Sequence, residues 1–280
     1  MKISIIIPTY NEEEVILTCL ESLSKQTIKD FEVIIVDDGS TDLTIQKIKS
    51  SSLERYFPLK ILSQKHLGAG AGRNLGAKQS KEDILVFVDA DMTFDRNFLK
   101  MLTKPIISGK TKGTFSKNEY VANWNNIWAR CWNINEGWKE KMRHPNNYPD
   151  KQKVFRAILR SEFNKVGGFT PGGYNDDWSL SEKLGYESDV ATNAIFYHKN
   201  PESLKEVFKS AKWVGKRPYK FRILGTIFAL IRSSFPTSIL VGLFKAVISG
   251  QFGFILFKIV YDLGIFIGIL NYLFFKKGSK

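Results

Sequence analysis

The chain alternates short apolar runs with stretches of helical spacing. Ile3-Ser4-Ile5-Ile6-Ile7 reads as a buried strand stopped by Pro8, with Thr9 and Tyr10 in the following loop. Asn11 is expected to cap a helix that carries Glu12, Glu13 and Glu14 in its first turn, where the helix dipole favours acids. Val15, Ile16, Cys19, Leu20 and Leu23 then recur at helical spacing and predict one apolar face. Phe31 to Val36 predicts a second strand, ending in the turn Asp37-Asp38-Gly39-Ser40, with a helix from near Thr41. Leu59 to Leu62 is a third, weaker strand. Gly68-Ala69-Gly70-Ala71-Gly72 leads into a short helix through Arg73, Asn74 and Ala77. Ile84-Leu85-Val86-Phe87-Val88 is a fourth strand, and it runs straight into Asp89-Ala90-Asp91.

Strands alternating with helices in this way predict a doubly wound, Rossmann-like α/β fold with a mostly parallel sheet. Ligands of such sheets bind beyond the carboxyl ends of the strands. Three polar loops fall at those ends: Pro8 to Asn11, Asp37 to Ser40, and Asp89 to Asp91. On an extended backbone Asp89 and Asp91 project the same way. Two anions so close repel each other, and a cation or a donor-rich ligand between them relieves this. The same pair also suits a solvated turn before the next helix.

Charge changes the picture in the last third of the chain. Lys and Arg exceed Asp and Glu by 13 over the whole sequence. From Lys199 to Arg222, eight basic residues face only Glu202 and Glu206, a net +6. This cluster directly precedes an apolar tail from Ile223 to Phe275, broken near Ser249-Gly250-Gln251. A basic cluster beside an apolar segment points to the anionic leaflet of a membrane. Nucleic acid is the rival partner, but no nucleic-acid motif accompanies the charge, and none is expected to bind. Within the tail, Lys258 and Asp262 each cost about 3 kcal/mol at the centre of a membrane helix. Four residues apart, they can pair on one helix face. A re-entering helical hairpin is favoured over interfacial helices, and it returns Lys276, Lys277 and Lys280 to the cytosolic side. Cys19 and Cys131 lack metal-ligand spacing and imply neither a disulfide scaffold nor a zinc site. The N-terminus opens as Met1-Lys2 and enters a strand with no signal peptide, so the main domain is expected in the cytosol.

Two look-alike motifs fail on spacing. Gly70-Ala71-Gly72 is followed by Gly76 and lies after the third strand, unlike a dinucleotide fingerprint. Gly109-Lys110-Thr111 resembles the end of a P-loop, but Lys104 stands where the first glycine belongs.

Taken together, Ile5 to Glu12, Val36 to Asp42, Gly72-Arg73-Asn74 and Val88 to Asp91 resemble family 2 glycosyltransferases of the GT-A fold. Val166-Gly167-Gly168-Phe169 and Asp176-Asp177-Trp178-Ser179-Leu180-Ser181 resemble that family's acceptor-side segment, and Tyr197-His198 with Lys212-Trp213 its closing part. The resemblance spans residues 3 to 220 and implies an inverting sugar transfer from a nucleotide-diphosphate donor. It implies a catalytic domain over residues 1–220, divided into a nucleotide-sugar half, 1–95, and an acceptor half, 96–220. Residues 221–280 remain as a membrane-associated helical tail. Pro8 and Thr9 are expected to line the nucleotide pocket, Asp38 to accept a hydrogen bond from the base, and Asp37 to support that turn. Asp89 is expected to face ribose and sugar, with Arg73 adding positive charge near the donor. Asp91 is the expected ligand for Mg or Mn, which offsets charge on the departing diphosphate. His198 is either a further metal ligand or a plain hydrogen-bonding residue at a strand end.

An acceptor hydroxyl needs a base opposite the leaving group. Asp177 is the expected catalytic base. Relatives carry Glu-Asp where this chain has Asp176-Asp177, which leaves Asp176 as the neighbouring choice and helix capping as the plain reading of both. Lysines at both polar positions of the Lys209 to Trp213 stretch argue against a processive synthase. Trp124, Trp128 and Trp132 recur every four residues and are expected to share a helix face, either as packing or as an acceptor groove. The expected acceptor is lipid-linked or a growing surface glycan, reached at the cytoplasmic face of the cell membrane. Two rival functions are a sugar-phosphate nucleotidyltransferase, which normally shows a glycine-rich loop after the first strand, and an inactive basic membrane-binding module.

Overall fold

A computed structural model describes residues 1–172, 176–217 and 219–275. The chain opens with β1 (Ile3–Thr9), α1 (Ile16–Ser24), β2 (Phe31–Asp37), α2 (Thr44–Ser50), β3 (Leu59–Ser63) and α3 (Ala69–Gln79). It continues through β4 (Ile84–Phe87), β5 (Met92–Phe94), α4 (Phe98–Ile107), β6 (Gly113–Phe115), β7 (Glu119–Val121) and α5 (Ile127–Glu136). Next come β8 (Lys151–Gln152), β9 (Ala157–Leu159), α6 (Arg160–Lys165), α7 (Ser179–Leu184), β10 (Ser188–Val190) and β11 (Phe196–His198). The last elements are α8 (Leu204–Gly215), α9 (Arg222–Arg232), α10 (Phe235–Ser249) and α11 (Phe254–Phe275).

These elements form two compact units, Met1–Tyr120 with Asn147–His198, and Val121–Asn146 with Lys199–Lys280. The units divide the chain differently from the expected 1–220 and 221–280. Helices α5 and α8 share a core with α10 and α11, in which Cys131, Trp132 and Val207 pack with Ala246, Phe254 and Phe257.

In the first unit an eight-stranded sheet runs in the order β3-β2-β1-β4-β9-β6-β10-β8, beside a three-stranded sheet β5-β11-β7. The first four strands are parallel, as their continuous apolar runs require. Strand order turns back at β1, which has β2 on one side and β4 on the other. That is the switch point of a doubly wound sheet. Ile5, Ile6 and Ile7 are wholly inaccessible to solvent. Each such side chain contributes roughly 1.5–3 kcal/mol of burial free energy. Helix α3 lies close on β1, since a Cβ at Gly76 would come 2.5 Å from Ile6 Cγ2.

Several helix starts differ from the sequence reading. α1 begins at Ile16 rather than after Asn11. Asn11 adopts φ 55° and its Oδ1 accepts the Thr41 N–H at 2.8 Å, so it ties two loops together instead of capping a helix. α2 begins at Thr44 rather than near Thr41, because Asp42 accepts both the Thr44 N–H and its hydroxyl. Trp124 precedes α5 and only Trp128 and Trp132 lie on it. There the Asn126 side chain caps the helix, taking N–H groups of Trp128 and Ala129.

The tail of the second unit is three helices rather than two segments. α9 and α10 bend by 63° at Ser233-Ser234, and α11 is long and apolar enough to cross a membrane from Phe254 to Phe274. α8 and α11 touch backbone to backbone, where a Cβ at Gly268 would meet the Lys212 carbonyl oxygen at 2.3 Å. Lys258 and Asp262 do pair, at 2.7 Å, and both are buried. The expected return of Lys276, Lys277 and Lys280 lies outside the described residues.

Candidate active site

The polar residues cluster where β1, β2 and β4 end. Thr9 closes β1; its backbone carbonyl accepts the Asp38 N–H at 2.8 Å. Its buried Oγ1 finds no hydrogen-bond partner among the described residues. Pro8 lies against α3, 3.2 Å from where a Gly72 Cβ would stand. Asp37, at the end of β2, accepts the Ser40 N–H at 3.0 Å. Asp38 is buried and heavily engaged by the loop before α3. One carboxylate oxygen takes Gln64 Nε2 at 2.6 Å and the Leu67 N–H at 2.8 Å, and the other the Gly68 N–H at 2.8 Å. His66 Nδ1 stands 3.0 Å from the same carboxylate, and its ring packs against Tyr10 with centroids 4.1 Å apart. Asp38 therefore anchors the loop that carries His66.

β4 stops at Phe87, so Asp89 and Asp91 leave the sheet on turning backbone and find different partners. Asp89 sits between two guanidinium groups, Arg73 Nη2 at 2.8 Å and Arg156 Nη1 at 3.1 Å. Burial by itself would push the Asp89 carboxyl up, but Arg156 and Arg73 together hold it well below the ordinary carboxylate range. Arg73 is nearly inaccessible, and burial opposes its charge; Asp89 and Asp177 outweigh that and raise its pKa. It also bonds Asp177 and lies 3.9 Å from Asp176, while its Nε has no partner among the described residues. Asp176 is turned inward and accepts the Gly70 N–H at 2.9 Å. Its carboxyl is pushed up by burial and then by Asp177. Asp177 is the more open of the two, with 41 % of its side chain exposed against 15 % for Asp176. The glycine run thus serves close approach, since a Cβ at Gly70 would meet Asp176 at 2.6 Å.

Asp91 pairs with His198 from the end of β11, Oδ2 to Nε2 at 2.7 Å. Antiparallel pairing of β11 with β5 sets His198 opposite Met92 and so beside Asp91. The other ring nitrogen of His198 stands 3.1 Å from Glu119 Oε1. Among the described residues no three His, Cys, Asp or Glu side chains converge as a metal cage. The Asp91–His198 pair still fits a hard divalent cation, because such ions are held by one or two protein groups with phosphate oxygens filling the rest. Negative charge accumulates here, as Glu12 shows: burial first, then Asp91 and Asp89, push its carboxyl up to about 7.

The structure therefore brings Arg73, Asp89, Asp176 and Asp177 into one linked network, with Asp91 and His198 as a second pair. Asp37 and Asp38 stay apart from both, tied to their own loops. Three residues escaped the sequence reading. Arg156 belongs to no motif; it reaches Asp89 because β9 runs antiparallel to β4 and its carbonyl accepts the Phe87 N–H at 2.9 Å. Glu119 lies in a short strand without pattern. Glu12 was visible, but as a helix-start acid. The site gathers the Arg73 and Arg156 guanidinium groups with carboxylates drawn from several segments of the chain.

The chain matches the sequence model of Glycosyl transferase family 2 over residues 4–169. It is 38 % identical over 102 residues to poly(ribitol-phosphate) beta-N-acetylglucosaminyltransferase TarS of Staphylococcus aureus strain Mu50. That match covers 36 % of this chain and 18 % of TarS, so the chain spans less than a fifth of that relative. Among solved structures, S. aureus TarS 1–349 in complex with UDP-GlcNAc superposes with a TM-score of 0.58 at 21 % identity, covering 77 % of this chain and 66 % of that one. The mannosyltransferase PcManGT of Pyrobaculum calidifontis, solved with GDP-Man and Mn2+, superposes with a TM-score of 0.61 at 16 % identity, covering 99 % of this chain and 88 % of that one. With a doubly wound sheet, acidic loops at its carboxyl edge and a family match over more than half its length, the chain belongs to glycosyl transferase family 2.

Proposed function

We propose that this protein transfers a sugar, with inversion, from a nucleotide-diphosphate donor to a lipid-linked or surface-glycan acceptor at the cytoplasmic face of a membrane. The observation that carries the proposal is the Asp89–Arg73–Asp177 network beside the Asp91–His198 pair. Such an arrangement would supply a base, fixed cations and a place for a hard metal. In this reading Pro8 and Thr9 line the nucleotide pocket, and the unpartnered Thr9 hydroxyl is available to the donor. Asp37 and Asp38 keep the neighbouring loops in shape for the base. Asp89 fixes the positions of Arg73 and Arg156, so that guanidinium N–H groups can meet the donor without reorganisation during the reaction.

Asp91 and His198 would hold Mg or Mn, which would supply positive charge beside the leaving diphosphate. Asp177 takes the proton of the acceptor hydroxyl as that oxygen attacks the anomeric carbon, and the bond to the diphosphate breaks on the opposite side. Asp176 keeps the loop in place through the Gly70 N–H, and its inward turn supports Asp177 as the base. Membrane attachment is supported by the apolar α11 and by the exposed apolar face of α9, where Ile223, Leu224 and Phe228 are each at least 67 % exposed. The acceptor class is supported by the relative whose name gives a poly(ribitol-phosphate) acceptor.

The test is a panel of nucleotide sugars titrated with and without Mn2+ while thermal unfolding is followed. One donor is expected to raise Tm, and only with the cation present. If no nucleotide sugar stabilises the protein with Mn2+, the proposed donor site is wrong.

A further inference from the structure

Helix α11 has the length and apolarity of a membrane span, but its neighbours in the second unit do not suit one. Gly264 is the midpoint of the stretch Phe254–Phe274. There α8 lies so close that a Cβ on Gly264 would stand 2.8 Å from both the Phe208 carbonyl oxygen and the Ala211 Cβ. Val207 shares a core with Phe254 and Phe257, and a Cβ on Gly215 would come 3.1 Å from Gly268 Cα, so α8 follows α11 through the middle of the stretch. Along this length α8 carries Lys205, Lys209 and Lys212, and Lys209 is exposed. A spanning α11 would therefore set Lys209 near the bilayer midplane and facing lipid. Ionisable residues at that depth are costly and turn to the interior of a helix bundle instead.

The apolar surface of the unit lies on α9 and α10. On α10, Leu240, Leu243, Phe244, Val247 and Ile248 are 47–71 % exposed, while Ser238, Gly242 and Ala246 are buried on the opposite side. On α9, Ile223, Leu224, Ile227, Phe228 and Ile231 make a similar exposed stripe. Both helices turn their inner sides to the same turns of α11. Ser238 bonds Asp262 at 2.8 Å, and Ala229 and Ser233 line one cavity with Lys258, Asp262 and Ile265. The two stripes therefore both point away from α11, and continuous apolar faces of this kind mark an interaction surface. Charge selects the partner. Between Glu206 and Asp262 the sequence holds nine basic residues and no acid. Lys220 and Arg222 are exposed and directly precede the stripe of α9. A second copy seated on this face would set like charges against each other, since a two-fold interface meets its own patch. An anionic lipid surface accommodates both the stripes and the cations.

We propose that α9 and α10 lie in one leaflet of an anionic membrane with their apolar stripes in the boundary of headgroups and acyl chains, and that α11 does not cross the bilayer. The proposal rests on the membrane-associated reading above and decides its mode. It replaces the re-entering hairpin expected from the sequence with attachment to one face.

The full chain, purified in a mild detergent, is transferred to vesicles of phosphatidylglycerol and phosphatidylcholine, and flotation measures the bound fraction. Phe228→Glu combined with Phe244→Glu should weaken binding about tenfold or more, because each change trades an inserted apolar side chain for a charge. Its Tm in detergent should match the parent's, since both side chains are exposed in the folded chain. Lys220→Gln with Arg222→Gln should weaken binding about fivefold for each charge removed. Topology is read in cells on Phe252→Cys and Leu273→Cys, at the two ends of α11, both exposed, while the native Cys19 and Cys131 are buried. With a membrane-impermeant maleimide, neither variant should react in intact spheroplasts and both should react after lysis in detergent. Reaction of either one before lysis would mean a span and overturn the proposal while leaving membrane attachment in place. Unchanged flotation of the Phe228→Glu, Phe244→Glu variant would overturn the assignment of the stripes. Dimers that this variant abolishes, in a parent that does not float, would make the face a contact between copies. A parent that neither floats nor dimerises would sink the membrane reading together with the proposal. Stabilisation by nucleotide sugar, measured on the same preparation, reports the donor site separately.

Discussion

Each unit of this protein buries charge, and the two do it differently. In the first unit, Asp89 holds two arginines, and one of them reaches on to Asp177. That network stays partly open, with 31 % of the Asp89 side chain and 41 % of the Asp177 side chain exposed. In the second unit, Lys258 and Asp262 close on each other within one helix and on Ser238 of the next, with side chains 6 % and 4 % exposed. The closed pair satisfies itself and fixes how α10 and α11 meet. The open network leaves Arg73 Nε unpartnered and a carboxylate facing solvent. In the function proposed above, the closed pair serves packing and the open network serves the ligand.

The largest expected effect tests the open network. Asp177→Asn should lower the transfer rate by about 10²–10⁴-fold, the usual loss on removing a general base. Its Tm and its donor affinity should stay close to those of the parent. If Asp176→Asn is the inactive variant and Asp177→Asn is not, the base is the neighbouring residue.

The closed pair should behave in the opposite way. Lys258→Met strands Asp262 among helices and should destabilise the protein by about 3–5 kcal/mol. Lys258→Met combined with Asp262→Leu should recover that stability, since apolar replacement of a buried pair is often neutral. Thermal unfolding of the detergent-solubilised chain reads both, and donor binding should survive in the double variant. A double variant as unstable as the single would mean that the pair does more than register packing.

The same exercise on Asp89 sharpens the contrast. Asp89→Asn leaves Arg73 and Arg156 without their shared carboxylate. It should cost about 3 kcal/mol, the low end for a broken buried pair, because Asp89 is partly solvated. Asp89→Leu with Arg156→Met should regain part of this stability, but stabilisation by nucleotide sugar should be lost. Retention of full donor binding in that double variant would place Asp89 among packing residues.

The smallest effect is a pH dependence. The Glu12 carboxyl rises from an ordinary 4.5 to about 7, by burial and then by repulsion from Asp91 and Asp89. A raised carboxyl pKa means that the folded state holds this proton more tightly than the unfolded chain. Its contribution to stability is therefore complete below pH 4.5 and fades as pH rises through 7. In chelator-treated protein, Glu12→Gln should match the parent near pH 4 and exceed it in Tm near pH 8. Equal slopes of Tm against pH in the two proteins would sink the assignment.

Much of this was legible in the residues themselves. The apolar runs at Ile3–Ile7, Phe31–Val36 and Ile84–Val88 specified buried parallel strands, because strands covered on both faces leave no room for alternation. Their order placed acids at one sheet edge, and the motifs around Asp38, Asp91 and Asp177 named the family. The four-residue spacing of Lys258 and Asp262 sufficed to predict their pairing, since one helix supplies its geometry. What the sequence left open depends on contacts between distant segments. Nothing local marks Arg156, 67 residues from Asp89, as its partner; the antiparallel register of β9 on β4 decides that. Likewise His198 meets Asp91 across 107 residues only because β11 pairs with β5. Glu12 looked like a helix-start acid until the loop around Asn11 took φ 55° and moved the helix start to Ile16. Local pattern determines elements through short-range sterics and burial, whereas register, and with it the partners of each charge, is settled when the elements pack.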